Sequence, residues 1–176
     1  MNVENLIESA IRHSVVEVFS TMLSGDIEAG DVSREHTSPE TSEGVVSFIG
    51  IAGRWSGTGS IACSSALACR ICSQMLMTEA PTLNEEVLDA VAELTNMVIG
   101  NVKSSLERHL GDLGLSIPTV VFGRNFKTKT GGSIEWIVER FRWESEELIV
   151  KMCLAPNEKF TQNAGHSLGQ TCPVDI

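Results

Sequence analysis

The chain has 176 residues, a net charge of −10 and a pI of about 4.8, with 42% hydrophobic and 20% charged residues. These proportions are typical of a globular domain with room for a core. A surface that acidic repels phosphate backbones and anionic lipid, which disfavours nucleic acid and membrane partners. The five cysteines, with no secretion signal near the N-terminus and no apolar membrane span, indicate reduced thiols in a cytoplasm.

The first third of the chain predicts one helix and a β-hairpin. Apolar residues at helical spacing predict an amphipathic helix over residues 2–23. A polar run follows, in which we expect a short edge strand near 27–32 and a solvated loop around 33–43. The stretch GVVSFIGIAGRWSGTGSIAC then predicts a hairpin with strands near 45–52 and 57–63, because it is rich in β-branched residues and glycine.

Two further helices follow the hairpin. Either Ser64 or Ser65 can cap a short helix that runs to about Met77. Thr82 and Glu85 have the spacing of a capping box and predict the start of a longer helix, which ends at about Leu110 before a glycine.

The last part of the chain reads as strands. We expect one strand over 117–123, a ragged edge over 125–130, and a hairpin over 133–155 that turns near 145–147. The order helix, strands, two helices, strands indicates an α+β fold, with an antiparallel sheet flanked by long helices.

The domain boundaries follow from composition. The predicted elements form one domain over residues 1–155, and the polar segment 156–176, with its scattered glycines, is predicted to be a flexible tail.

Common catalytic and metal-binding motifs are absent from the sequence. There is no Gly-x-Ser-x-Gly elbow, Walker loop or His-Glu-x-x-His, and the four histidines are scattered. Cys63, Cys69 and Cys72 could suggest zinc or redox chemistry, but we interpret them as small buried apolar residues, since no second pair closes a metal site. The glycines of GRWSGTG join two strands rather than opening a helix, so hairpin geometry explains them better than phosphate binding.

The long helix carries an unusual polar line. Asp89, Glu93, Asn96 and Gly100 have offsets of four, seven and eleven residues, which return to within about 40° of the first at 100° per residue. The opposite line is apolar and predicts the core-facing side: Val87, Val91, Leu94, Val98 and Val102.

Two residues of the polar line disfavour helix. Asn96 is a poor helix former, and Gly100 in a helix interior costs about 1 kcal/mol against alanine. A solvated face remains an alternative, but two such costs on one line favour a docking face.

The amide of Asn96 limits the reactions that this face could catalyse. Asn96 cannot be a general base, but its amide can hold a water molecule and aim it at an electrophile. That suffices when a partner protein supplies an activated phosphoryl group together with its own Mg²⁺, and Glu93, one turn earlier, could then pair with a lysine of that partner.

The motif resembles that of the CheC/CheX chemotaxis phosphatases, and most closely CheX. The residues that carry the resemblance are Asp89-x3-Glu93-x2-Asn96, then Met97, Gly100-Asn101 and Pro118. The similarity extends to the GVVSFIGIAGRWSGTGSIAC hairpin, the CRICSQMLMTE helix and GLSIPTVV, and so covers roughly residues 2–155. CheC members carry a second Glu-x2-Asn on the first helix, but here Ile7, Ile11 and Ser20 follow the glutamates at that spacing, which favours CheX.

The resemblance implies a function and a site. Members of the family remove the phosphoryl group from the aspartate of the response regulator CheY. It implies that Asn96 orients the attacking water and that Glu93 pairs with the receiver's lysine, with Asp89, Gly100 and Pro118 in supporting or docking positions. It also implies Mg²⁺ supplied by the receiver rather than a cofactor of the chain's own, and often a homodimer.

Two alternatives to catalysis stay open. The chain could be a non-catalytic adaptor that docks a signalling partner through the same helix face. It could also be a structural dimer module, with Trp136 and Trp143 at a sheet edge.

Overall fold

Three helices pack on one face of a seven-stranded antiparallel sheet in the computed structural model, which describes residues 2–36, 40–128 and 135–158. The helices are α1 (Val3–Met22), α2 (Ser65–Leu76) and α3 (Glu85–Leu110). The strands are β1 (Glu28–His36), β2 (Glu40–Gly53), β3 (Trp55–Cys63), β4 (Leu113–Leu115), β5 (Thr119–Thr128), β6 (Glu135–Trp143) and β7 (Glu146–Pro156). The order is β1-β6-β7-β3-β2, and both β4 and β5 pair with β2, so the predicted α+β class is confirmed.

The helix ends agree with the sequence except at one cap. Ser64 caps α2 by accepting a hydrogen bond from the Leu67 amide at 3.0 Å, as predicted. The predicted cap of α3 at Thr82 is wrong, because Asn84 holds that position and its Oδ1 accepts from the Val87 amide at 2.9 Å. Asn is at least as good a cap as Thr and lies directly before the first helical residue.

Several strands extend further than predicted. The solvated loop expected around 33–43 is wrong in part, since β1 continues to His36 and β2 begins at Glu40. The pairing of β1 with β6 includes ion pairs from Glu28 to Arg142 (2.9 Å) and from Glu35 to Arg140 (3.2 Å). The polar strand β1 is therefore stabilised by cross-strand ion pairs and lacks the apolar alternation by which a strand is predicted from sequence.

The downstream region differs from prediction in a similar way. The strand expected over 117–123 forms from Thr119 onward as part of β5, which continues through Thr128 where a ragged edge was expected over 125–130. Residues 129–130 lie outside the described residues. β4 was not predicted. The last hairpin forms, but β6 ends at Trp143 and β7 starts at Glu146, so it turns slightly earlier than expected.

The tryptophans do not lie at a sheet edge. Trp136 and Trp143 are buried, and their strand β6 is paired on both sides, with β1 and with β7. The Trp143 ring meets the ring of Phe19 edge-on, with centroids 5.3 Å apart. The edge placement that motivated a structural dimer module is therefore wrong, while dimerisation itself stays a prediction.

Glycines in β3 let neighbouring elements approach the strand closely. A Cβ atom at Gly57 would collide with the carbonyl oxygen of Cys153 on β7. A Cβ atom at Gly59 would lie 2.9 Å from the side chain of Ile99 on α3. The hairpin glycines are therefore structural, as predicted, and Gly59 allows α3 to seat directly on the sheet.

The end of the described chain is held to the β2–β3 turn. The backbone N–H of Asn157 donates to the carbonyl of Arg54 at 2.8 Å, and its side-chain Nδ2 donates to the carbonyl of Gly53 at 3.1 Å. Residues 159–176 lie outside the described residues, so the tail stays a prediction. Within the described residues, no helix combines the length and apolar character that crossing a membrane requires.

Candidate functional site on helix α3

The buried face of α3 fixes the orientation of the whole helix. The predicted apolar line is fully or almost fully buried: Val87, Val91, Leu94, Val98 and Val102. Glu85 and Glu86 lie in the first turn and Arg108 and His109 in the last, which suits the helix dipole at both ends. Since the core contacts fix the rotation of the helix, they also fix which residues face solvent.

The exposed face carries the predicted polar line. Asp89, Glu93 and Asn96 are exposed and Gly100 is half-buried. No hydrogen bond or ion pair joins the side chains of Asp89, Glu93 or Asn96 to another residue in the described parts of the chain. Side chains three and four residues apart on a helix have Cβ atoms about 5–6 Å apart, so a carboxylate and an amide are presented together to solvent.

Charge on this face is not balanced within the helix. Glu85, Asp89 and Glu93 follow one another at intervals of four residues, a spacing at which like charges destabilise a helix by about 0.2–0.5 kcal/mol per pair. Elsewhere the same helix does use a compensated pair, Lys103 with Glu107 at 2.9 Å. The acids of the polar line are therefore not there to stabilise α3.

Pro118 lies on a different element from the rest of the predicted site. It is half-buried in the segment between β4 and β5, the strands beside α3. Ser116 fixes this segment to β2: its amide donates to the Gly50 carbonyl at 2.9 Å, and its Oγ accepts from the Gly50 amide at 2.8 Å. The neighbouring Ile117 is 88% exposed, which places an apolar side chain at the surface beside the proline.

Helix α1 offers an internal comparison for α3. Seven buried residues of α1 each have a buried counterpart on α3 that lies 80 residues later in the chain. They are Ile7, Ala10, Ile11, Ser14, Val15, Val18 and Phe19, against Val87, Ala90, Val91, Leu94, Thr95, Val98 and Ile99. In this register His13 corresponds to Glu93 and Val16 to Asn96, so α1 lacks the acid–amide pair. This agrees with the absence of a second Glu-x2-Asn motif from the sequence of the first helix.

Cys63, Cys69 and Cys72 lack the lowered pKa of reactive thiols. Burial raises the pKa of Cys63 to about 12 and raises the pKa of Cys69 and of Cys72 above the ordinary thiol value. Thiols with raised pKa values stay protonated near neutral pH and are poor nucleophiles. Cys63 ends β3 while the other two lie on α2, as predicted.

A buried ion pair between α1 and the sheet was not predicted from the sequence. The Glu139 side chain is completely buried, and its Oε1 accepts from Arg12 Nε at 2.7 Å, while its Oε2 has no partner in the described residues. Burial raises the pKa of Glu139, although Arg12 opposes this. The alternation of faces along β6 places Glu139 on the same side as Ile137 and Phe141, which belong to the core, but the sequence does not reveal that Arg12 pairs with this carboxyl.

Helix α3 packs against the sheet through its apolar side and presents a carboxylate and an amide to solvent on the other. The chain belongs to the chemotaxis phosphatase CheX family, whose model matches residues 45–141. The CheY-P phosphatase CheX of Thermotoga maritima is 35% identical over 130 residues, which is 73% of this chain and 83% of that protein.

Solved structures share this fold. The chemotaxis protein CheX from Vibrio vulnificus is similar with a TM-score of 0.71 and 29% identity, covering 85% of this chain and 99% of that one. The CheX–CheY–BeF3–Mg2+ complex from Borrelia burgdorferi is similar in fold, with a TM-score of 0.68 and 20% identity, covering 85% of this chain and 96% of that one.

Proposed function

We propose that this chain dephosphorylates the phospho-aspartate of a CheY-like response regulator in the cytoplasm, with Glu93 and Asn96 of α3 as its site residues. The observation that carries the assignment is the exposed Glu93–Asn96 pair, which has no partner among the described residues of its own chain. The relative from Thermotoga maritima is a CheY-P phosphatase, and it supports the same substrate class here.

Asn96 acts by positioning water rather than by taking its proton. The amide side chain has no useful pKa, but it both donates and accepts hydrogen bonds and so can aim a water oxygen at phosphorus. The new bond joins that oxygen to phosphorus, and the bond from phosphorus to the aspartate oxygen breaks. The products are inorganic phosphate and the free receiver carboxylate, with the water protons passing to phosphate oxygens and solvent.

The receiver supplies the rest of the active site. In the Borrelia burgdorferi complex the CheX protein is found with CheY, BeF3 and Mg2+, which supports a metal that belongs to the partner. Mg²⁺ in the receiver balances the charge on the phosphoryl group, so under this proposal the chain needs no cofactor of its own. Glu93 pairs with the receiver's lysine, and Asp89 and Pro118 border the contact.

The test is phosphate release from a phosphorylated CheY-type receiver with Mg²⁺, with this protein present at about one-hundredth of the receiver concentration. An enzyme accelerates release of all the phosphate, because each molecule acts many times. A non-catalytic adaptor leaves release at the receiver's own rate although it binds. No binding to any receiver would contradict both the phosphatase and the adaptor.

Replacing Glu93 by alanine is expected to weaken binding of the phosphorylated receiver by about tenfold or more, because the charge pair with the receiver's lysine is lost in a partly desolvated interface. Binding of the unphosphorylated receiver should weaken less. Calorimetry with the BeF3-treated and untreated receiver measures both values. His13→Ala is the matched control, since His13 holds the corresponding exposed position on α1, and it should bind like the wild type. Equal losses for both receiver forms would contradict the proposed role.

A further inference from the structure

Gly100 lies one turn beyond Asn96 on the exposed line of α3, in the interior of a helix of 26 residues. Glycine there destabilises the helix relative to alanine, because it loses more backbone freedom on folding. A glycine in this position therefore requires a reason in the structure of the chain or outside it.

The described part of the chain provides no steric reason for Gly100. A Cβ atom built on Gly100 has no atom of these residues within 4 Å, apart from its neighbours and its own helix backbone. By contrast, a Cβ atom on Gly57 or Gly59 would meet β7 or α3 at short range. An alanine at position 100 would fit without any movement of the described residues.

The backbone provides no reason either. Gly100 is helical and does not belong to the positive-φ residues, unlike Gly111, which ends α3 with φ of 80°. Its carbonyl accepts a hydrogen bond from Ser104 Oγ at 3.0 Å, a bond that any residue at position 100 could accept.

We infer that Gly100 determines how closely the receiver approaches α3: the receiver surface beside its phosphorylation site packs against the bare helix backbone at this position. Gly100 follows Asn96 by four residues, or about 6 Å along the helix axis. A close approach there brings the phosphoryl group within reach of the Asn96 amide. This inference rests on the proposed function, and it assigns Gly100 as a docking residue rather than a catalytic one.

The test compares Gly100→Ala and Gly100→Leu with the wild type. Because both residues favour helix and the space is open, thermal unfolding should shift upward by about 2–4 °C for Gly100→Ala. Binding of the BeF3-treated receiver should weaken by about tenfold for alanine and at least about a hundredfold for leucine, because the added atoms occupy the space of the partner. In phosphate release the loss should lie in KM, with kcat retained at saturating receiver.

The matched controls are Ser20→Ala and Ser20→Leu. Ser20 is exposed on α1 at the position that corresponds to Gly100, and its hydroxyl donates to the Glu17 carbonyl of its own helix, at 3.0 Å. These variants add the same side chains to the surface but should leave receiver binding and KM unchanged.

The outcomes separate this inference from the proposed function. If the wild type accelerates phosphate release and Gly100→Leu does so with the same KM, the inference is wrong and the phosphatase stands. A fall in kcat at unchanged KM would also overturn it, since that result indicates a role in the chemical step. If the wild type neither binds nor accelerates, the proposed function fails, and the role of Gly100 fails with it.

Discussion

Asn96→Ala is expected to lose at least about a hundredfold of the stimulated rate of phosphate release. A hydrogen-bonding group that positions a reactant or stabilises developing charge contributes about 10²–10³ in rate. Because Asn96 is exposed and has no partner in the described residues, its removal opens no cavity and breaks no internal bond. The unfolding temperature should therefore stay the same or rise slightly, since alanine is the better helix former.

The kinetic signature distinguishes Asn96 from Gly100. The Asn96→Ala loss should lie in kcat, with binding of the BeF3-treated receiver close to that of the wild type. Val16→Ala is the matched control, because Val16 holds the corresponding exposed position on α1 and should change nothing. Asn96→Asp, which keeps the shape but adds a negative charge facing the phosphoryl group, should be no more active than the alanine variant. Full activity in Asn96→Ala would rule out water positioning by this amide.

Arg12→Met is expected to lower the free energy of unfolding by about 2–3 kcal/mol at pH 7. Removing one partner of a buried ion pair leaves a charge without compensation, a change that costs about 3–5 kcal/mol when both partners are buried. Here Glu139 is fully buried while the Arg12 side chain is 46% exposed, so we expect a smaller loss of stability than for a pair buried on both sides. Denaturant unfolding at several pH values measures the effect.

The pH dependence of this variant follows from the pKa of Glu139. Burial already raises that pKa in the folded protein, and loss of Arg12 raises it further. Because the pKa of Glu139 is higher in the folded than in the unfolded protein, its protonated carboxyl stabilises the folded state. This contribution to stability is fully present below the unfolded pKa of about 4.3 and is lost as pH rises through the folded pKa. The variant should therefore approach the wild type near pH 4 and fall below it as pH rises towards 7.

Two controls make this prediction specific. Arg34→Met removes an arginine of similar exposure, 49%, from a 2.9 Å pair with Glu4, but Glu4 is itself 41% exposed. That variant should lose less than about 1 kcal/mol. Adding Glu139→Gln to Arg12→Met should abolish most of the pH dependence, because no buried carboxyl remains. An Arg12→Met loss that is equal at pH 4 and pH 7 would contradict the assignment.

The local sequence determined the elements whose signals lie within a few neighbouring residues. The two faces of α3 follow from its 3.6-residue periodicity, so Glu93 and Asn96 could be placed on the exposed face without the fold. The cap at Ser64 and the helix end at Gly111 are also local events, in which nearby groups satisfy free backbone atoms.

The tertiary structure decided what depends on contacts between distant residues. β1 continues to His36, beyond the short strand expected near 27–32, because β6 pairs with it and supplies partners for its charges. Glu139 is buried because α1 covers β6, and the open space at Gly100 is visible only once its surroundings are placed. Periodicity assigns a residue to a face, but burial, pairing and free volume depend on which residues from far along the chain meet that face.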